Sequence, residues 1–440
     1  VVPTVATSTT TATTSTVPES DCRAVAEHAA SLLQTFVDDY DTLTVAEWNA
    51  LDPPPDLTDV RDQVVQLAQS AVNLGCDPTT MEAMLIDSID ELSAEGAVGG
   101  ALAAAFRGDD PIFGPPAPVL VTTTTIPRDT EPSTVSVQPG QDLGPVLARI
   151  APGSTVEFAA GTHTFTEPIV VDIDVTFVGA GRDDTIISSS AEGFAVAFIG
   201  PGGFEVRDLT IEHTGPSSAS VLLTLEGPVR VENALIRGAT AGPEDPGGGH
   251  GIVFAFEPLE GFPQRSAAER AGILSVQDSV ITGNRSAGIL VTGDASPQIS
   301  GVTISNNGSC GVCYTGTSSG TVTNSTLDGN VVGVQIGDDA KPNVLDAVIT
   351  NNTSTGISID GRSTASIATT LIDANPVGVQ VGGEAAPVLN DNTVTNSDGA
   401  GVVMIDASAP RVISNLIEYN GEVGIQIGGS SSPVVESNTI

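Results

Sequence analysis

The residues best suited to chemistry fall in one irregular stretch, Ala239 to Ala271. It holds Gly249-His250-Gly251, the carboxylates Glu244, Asp245, Glu257 and Glu260, and the guanidinium groups of Arg265 and Arg270. Hydrolysis of a glycosidic bond needs two carboxyl groups roughly 5–10 Å apart, flanking the bond. His250, Glu244 and Asp245 are therefore the candidate catalytic residues, for a polysaccharide lyase or glycoside hydrolase. A second series, Asp294, Asp338, Asp339, Asp360, Glu384 and Asp406, recurs along later turns. Stacked carboxylates would hold Ca²⁺, with Asp294, Asp339 and Glu384 as candidate ligands. Solvated turns are the other reading of that series, and the one its interruptions favour. His163 and His213 read as turn or surface positions.

The four cysteines divide into two pairs. Cys22 opens the first predicted helix of the N-terminal region and Cys76 closes the third. Antiparallel packing of those helices brings the two together, which predicts a disulfide and an oxidising, extracellular setting. Closing that loop stabilises by roughly 4 kcal/mol. Cys310 and Cys313 are harder to place. Residues three apart in an unbroken strand lie about 10 Å apart on opposite faces, too far for a disulfide. They pair only if Gly311 turns the chain, so a turn disulfide and two thiols both stay open.

The elements that position these residues are set by a repeat. Glycines stand at 288, 311, 333, 356, 378, 401 and 424, at spacings of 22 or 23. One residue later come Ile289, Val312, Val334, Ile357, Val379, Val402 and Ile425. Eleven later come Ile299, Val322, Val344, Ile367, Leu389, Val412 and Val435, and sixteen later Ile304, Leu327, Ile349, Ile372, Val394, Ile417 and Ile440. A fixed period of this size means stacked units that cannot bury their apolar faces alone. Within each unit the apolar residues alternate, as in Gly378-Val-Gln-Val, which is the two-residue period of a half-buried strand. Gly, Asn, Ser, Asp and Pro punctuate the unit as turns. Each unit is thus two or three short strands wound once around an axis, at about 4.8 Å per coil. A further column, Asn284, Asn307, Asn330, Asn352, Asn375, Ser397 and Asn420, reads as a ladder of stacked amides. The N-glycosylation sequons at Asn284, Asn307 and Asn352 follow from that ladder, and one at Asn324 from the adjoining Ser/Thr-rich turn, rather than from glycan attachment.

Val302-Thr-Ile-Ser-Asn-Asn followed by a Gly-Val strand resembles the repeats of right-handed parallel β-helix proteins of the pectin-lyase-like superfamily. Val137-Gln-Pro-Gly-Gln, Ala151-Pro-Gly-Ser-Thr-Val-Glu-Phe-Ala-Ala-Gly-Thr-His and Val178-Gly-Ala-Gly-Arg-Asp-Asp-Thr-Ile-Ile are similar to the first coils of many such proteins. The resemblance implies a fold class: mainly β, a right-handed parallel β-helix of 22–23-residue coils. That scaffold hosts lyases, hydrolases, adhesins and surface proteins, so function must come from the site. Gly249-His250-Gly251 resembles one motif of polygalacturonases. That family also has an aspartate cluster on neighbouring coils and a later Arg-x-Lys. Neither appears here, the single lysine being Lys341.

Composition and linkers complete the reading. Residues 1–20 are a Thr/Ser-rich tail, 21–112 a helical bundle linked by the predicted disulfide, 113–133 a Pro/Thr-rich linker, and 134–440 the β-helix. In the bundle, Thr44 and Glu47 fit a capping box, and Val60, Val64, Leu67, Ala71 and Leu74 form one apolar stripe. Asp77 caps a helix that starts at Pro78. The formal net charge is −39, which repels nucleic acid and anionic membranes. No run of 18 apolar residues spans a membrane. The start at Val1 reads as a processed terminus. The outward positions two residues after each glycine, Leu290, Cys313, Gln335, Ser358, Gln380, Val403 and Gln426, carry neither charge nor an aromatic ring. The main reading is therefore a secreted or cell-surface, non-catalytic structural or adhesive protein. Its expected partners are copies of itself, joined through the N-terminal tail or domain into a filament, or other surface proteins. The alternative is a polysaccharide-binding or polysaccharide-degrading protein with its site near 239–271. No cofactor beyond Ca²⁺ is implied.

Overall fold

The computed structural model describes residues 19–43, 57–73, 76–90, 92–94, 98, 102, 103 and 106, and 128–440 apart from 201, 226, 243–247 and 256–273. The chain divides into two compact units, 1–126 and 127–440. In the first, helices α1 (Glu19–Tyr40), α2 (Leu57–Asn73) and α3 (Pro78–Asp90) enclose one core. Ala26, Leu33 and Val37 meet Val60, Val64 and Ala68, and Met81, Leu85 and Ile89 complete the packing. Leu67 is only partly buried, so the stripe of α2 centres on Ala68. Asp77 caps α3, its Oδ1 accepting the Thr80 N–H at 2.9 Å. Cys22 and Cys76 form the expected disulfide, with Cα atoms 5.9 Å apart. Thr44, Glu47 and Leu74 lie outside the described residues.

The second unit is a parallel solenoid of three sheets. The first sheet has 13 strands, from Thr134–Val137 to Val434–Glu436. The second has 11, from Gly161–Phe165 to Leu416–Glu418, and the third 11, from Ile169–Val171 to Ile425–Ile427. From Ser154 onward each coil passes through the three in that order. Among the described residues every strand-to-strand ladder of the three sheets is parallel and in register. Ile299, Val322, Val344, Ile367, Leu389 and Val412 follow one another across the first sheet. The three aliphatic columns read from the sequence are the inward faces of the three sheets. Their members are buried from Ile289 to Ile417, while Val435 and Ile440 in the last coil are exposed. The early coils are filled by rings instead: Phe158, Phe177, Phe204 and Phe198 succeed one another at centroid distances of 5.1, 5.1 and 5.5 Å.

The glycine column is set by coil-to-coil approach. A Cβ on Gly311 would lie 2.7 Å from the Gly333 carbonyl oxygen and 3.1 Å from Asn330 Nδ2. On Gly356 the same distances are 2.6 Å, to Gly378, and 3.0 Å, to Asn375. Glycine and asparagine columns are therefore one device. The backbone N–H and side-chain Nδ2 of Asn284 both donate to Asn307 Oδ1, at 3.2 and 2.9 Å. Asn307 does the same to Asn330, Asn330 to Asn352 and Asn352 to Asn375. Asn284, Asn307 and Asn352 are at most 2% exposed, so these three sequons are ladder members. A second ladder, Thr370–Asn392–Asn415–Asn438, runs through the turn between the first and second sheets.

Candidate functional site

Glu244 and Asp245 lie outside the described residues. His250 is half-buried, and its surroundings are structural. Its Nδ1 accepts the Ala287 N–H of the next coil at 3.2 Å, and its own N–H donates to Ser220 Oγ at 3.3 Å. Gly251 is a member of the glycine column: a Cβ there would sit 2.6 Å from the Gly288 carbonyl oxygen. Gly249 has φ +83°. Gly249-His250-Gly251 therefore has a structural explanation in the coil stacking.

His163 and His213 correct the sequence reading. Neither is at the surface. They are 1% and 3% exposed, on inward positions of the second sheet. Nε2–H of His163 donates to the Ala159 carbonyl and that of His213 to the Ala191 carbonyl, both at 2.9 Å. His163 also meets Phe158 edge-on at 5.1 Å. An inward imidazole has the same two-residue phase as an inward valine, and only the register tells them apart.

The acidic turn series is taken up locally. Asp339 accepts two hydrogen bonds from Arg362, at 2.9 and 2.6 Å. That guanidinium holds the exposed Asp339 carboxyl below its ordinary range. Asp338 accepts the Gly316 N–H at 2.8 Å and Asp406 the Gly383 N–H at 3.1 Å. Glu384 and Asp294 lie in turns of the same stack, and among the described residues no three His, Cys, Asp or Glu side chains converge. Cys310 and Cys313 are paired in a disulfide with Cα atoms 5.7 Å apart, within the strand Cys310–Tyr314, whose chain is less extended there than in an ideal strand.

The charged outward residues that the third sheet lacks stand on the first. Phe204-Glu-Val-Arg207 and Val229-Arg-Val-Glu232 are adjacent, in-register strands whose charged members face outward. Arg207 pairs with Glu205 at 3.5 Å and with Asp208 at 3.4 Å. Arg230 pairs with Glu232 at 2.8 Å and donates to Gln277 Oε1 at 3.3 Å. Asn233 Nδ2 donates to the other oxygen of Asp208 at 2.7 Å. Beside this knot is a groove of about 240 Å³ whose polar wall is Asp174, Thr176, Glu205, Arg230 and Ser275. Register continues the same outward row through Gln298, Thr321, Asn343 and Ser366. The chain rejoins this sheet at Leu274, three residues beyond the end of the 239–271 stretch. The signal was in the sequence: both tetrapeptides alternate apolar with charged. They precede Gly288, where long insertions break the period, so they fall outside the aligned columns.

The family model for the right handed beta helix region matches residues 267–386 and 332–440. With the parallel three-sheet winding, that decides the fold. The solenoid is a right-handed parallel β-helix. Solved structures similar to the chain include the A-module of the Azotobacter vinelandii mannuronan C-5 epimerase AlgE4, at 16% identity and TM-score 0.48, covering 66% of this chain and 89% of that one. The catalytic domain of a GH87 α-1,3-glucanase gives 10% identity and TM-score 0.48, covering 71% of each chain. Pectate lyase Pel9A gives 12% and 0.31, covering 71% of this chain and 79% of that one. None of the curated proteins matches the chain in sequence. At these identities no residue role is carried over to the β-helix.

Proposed function

We propose that this β-helix binds an extended polysaccharide along the outer face of its first sheet, centred on Glu205 and Arg230. The observation that carries the reading is the in-register row Thr176, Glu205, Arg230, Ser275, Gln298, Thr321, Asn343 and Ser366. It sets one hydroxyl, amide or charged group per coil, about 4.8 Å apart, along the path of a linear polymer lying across the strands, with Ser275 the buried member of the row. Such donors and acceptors match sugar hydroxyls. The local charge favours a neutral glycan: Asp174, Glu205, Asp208 and Glu232 face only Arg207 and Arg230. A polyuronate would meet like charge here and over the whole chain, whose net charge is −39. No cleavage chemistry is assigned, because both glutamates are already engaged by arginines.

The Cys22–Cys76 disulfide fits an oxidising, extracellular setting. Among the described residues no helix is long and apolar enough to cross a membrane. The filament reading rests on the N-terminal tail, whose residues 1–18 lie outside the described residues, whereas binding has a groove behind it. The test is retention of the full chain on insoluble neutral polysaccharides and on a glycan array. Arg230→Ala is expected to weaken retention about tenfold, the loss of one well-placed charged hydrogen bond. If no neutral glycan binds, or if Arg230→Ala and Glu205→Ala both bind like the parent, the groove is not the site.

A further inference from the structure

A second cavity, of about 730 Å³, opens at the N-terminal end of the β-helix. Its origin is a missing strand. The first sheet begins with Thr134–Val137, but the third begins a coil later, with Ile169–Val171. Between them the chain makes helix α4 (Gly144–Arg149), which at six residues is about 9 Å long and leaves that edge open. Among the described residues Ile169–Val171 therefore pairs on one side only, with Gly193–Phe198. The Val171 carbonyl accepts the Ile199 N–H from that side at 2.9 Å. Alternate residues of a parallel strand bond to opposite neighbours, so Val170 turns its N–H and C=O toward the cavity. Val170 is 44% exposed. Leu143, Leu147 and Phe165 supply apolar walls, and Asp142 and Glu167 the acidic ones. The one guanidinium in the lining, Arg128, is taken by Asp172 at 3.0 Å and by the Leu147 carbonyl at 2.7 Å.

We propose that this edge receives an extended segment of another polypeptide, added as a parallel or antiparallel strand beside Ile169–Val171. Its alternate aliphatic side chains enter the cavity and a lysine or arginine faces Glu167 and Asp142. Edge strands left open are templates for strand addition, and backbone bonding there supplies affinity while pockets select side chains. The acidic walls select the basic residue. The inference stands apart from the polysaccharide reading, since it uses the other end of the first coils and none of the groove residues.

The probe is the blocked hexapeptide acetyl-TVKVTV-amide, titrated into the full chain at about 0.15 M salt and followed by calorimetry. Two controls keep the charge logic separate from the strand logic. Acetyl-TPKPTV-amide has the same charge but lacks two strand donors, and acetyl-TVEVTV-amide inverts the charge. Saturable binding of the first peptide is expected, about tenfold tighter than either control. Glu167→Lys, in an exposed turn, is expected to reverse the preference toward the glutamate peptide. Equal binding of the proline peptide would show simple attraction to an acidic chain and overturn the proposal. So would binding unchanged by Glu167→Lys, or no saturable binding.

Discussion

At the residue scale, Tyr314 is the side chain most at odds with its surroundings. It occupies an inward position of the third sheet between Val291 and Ile336, is fully buried, and its hydroxyl has no partner among the described residues. Burial pushes the phenol well above its ordinary value of 10.0. The native state therefore keeps the proton where the unfolded chain releases it. Above about pH 10 the folded state binds more protons than the unfolded one, so stability falls as pH rises further. Tyr314→Phe removes an unsatisfied polar group without changing the ring. It is expected to raise stability by about 1–2 kcal/mol at neutral pH and to flatten the alkaline decline. Urea midpoints at neutral pH and above pH 10 measure both effects. A destabilised variant would mean that the hydroxyl has a partner, such as a buried water.

At the scale of the elements, the amide ladder couples one coil to the next, and the chain contains its own natural break. Asn330 is fully buried and its side chain takes part in four bonds. Its Nδ2 donates to the Ile304 carbonyl at 3.0 Å and to Asn352 Oδ1 at 3.3 Å, and its Oδ1 accepts both donors of Asn307. Asn330→Ala strands those groups in the interior and should cost about 2–3 kcal/mol. Ser397 holds the same register, donates its N–H to Asn420 at 3.0 Å, and leaves its hydroxyl without a partner. Ser397→Asn should therefore stabilise, by about 1 kcal/mol. Thermal unfolding of the two variants must move in opposite directions; a shared sign would refute the ladder as a stabilising device. This ladder was legible because its spacing is fixed and its residue type nearly constant. The second ladder was not, because its members change from Ser279 and Ser325 to Thr370 and then Asn392. The left-handed corners were equally hidden: Asp346, Thr369, Asp391 and Ser414 share φ of 50–57° but no side-chain type. A column defined by backbone angle appears in sequence only where glycine or asparagine fills it.

At the scale of the whole molecule, the repeat made the three-sheet winding readable, because each sheet needs one aliphatic column facing inward. It could not reveal the groove, which lies on coils whose insertions break the period. Nor could it reveal the open edge at Ile169–Val171, which exists because a helix takes the place of a strand. The charge of the chain has a consequence that follows from the winding itself. Fifty-four acidic residues face fifteen basic ones, a formal excess of 39 negative charges (54 − 15). Winding brings like charges in adjacent coils to within about 5–10 Å, closer than the screening length of roughly 30 Å at 0.01 M salt. At 0.15 M that length shrinks to about 8 Å, and repulsion along the solenoid is damped. The unfolded chain spreads the same charges over a larger volume, so screening favours the folded state. The melting temperature should therefore rise as sodium chloride increases from about 0.01 to 0.15 M. Exposed ion pairs such as Arg362–Asp339 work in the opposite sense and contribute little each. A melting temperature that falls with salt over this range would show that those pairs, and not the excess carboxylates, govern the electrostatics of the fold.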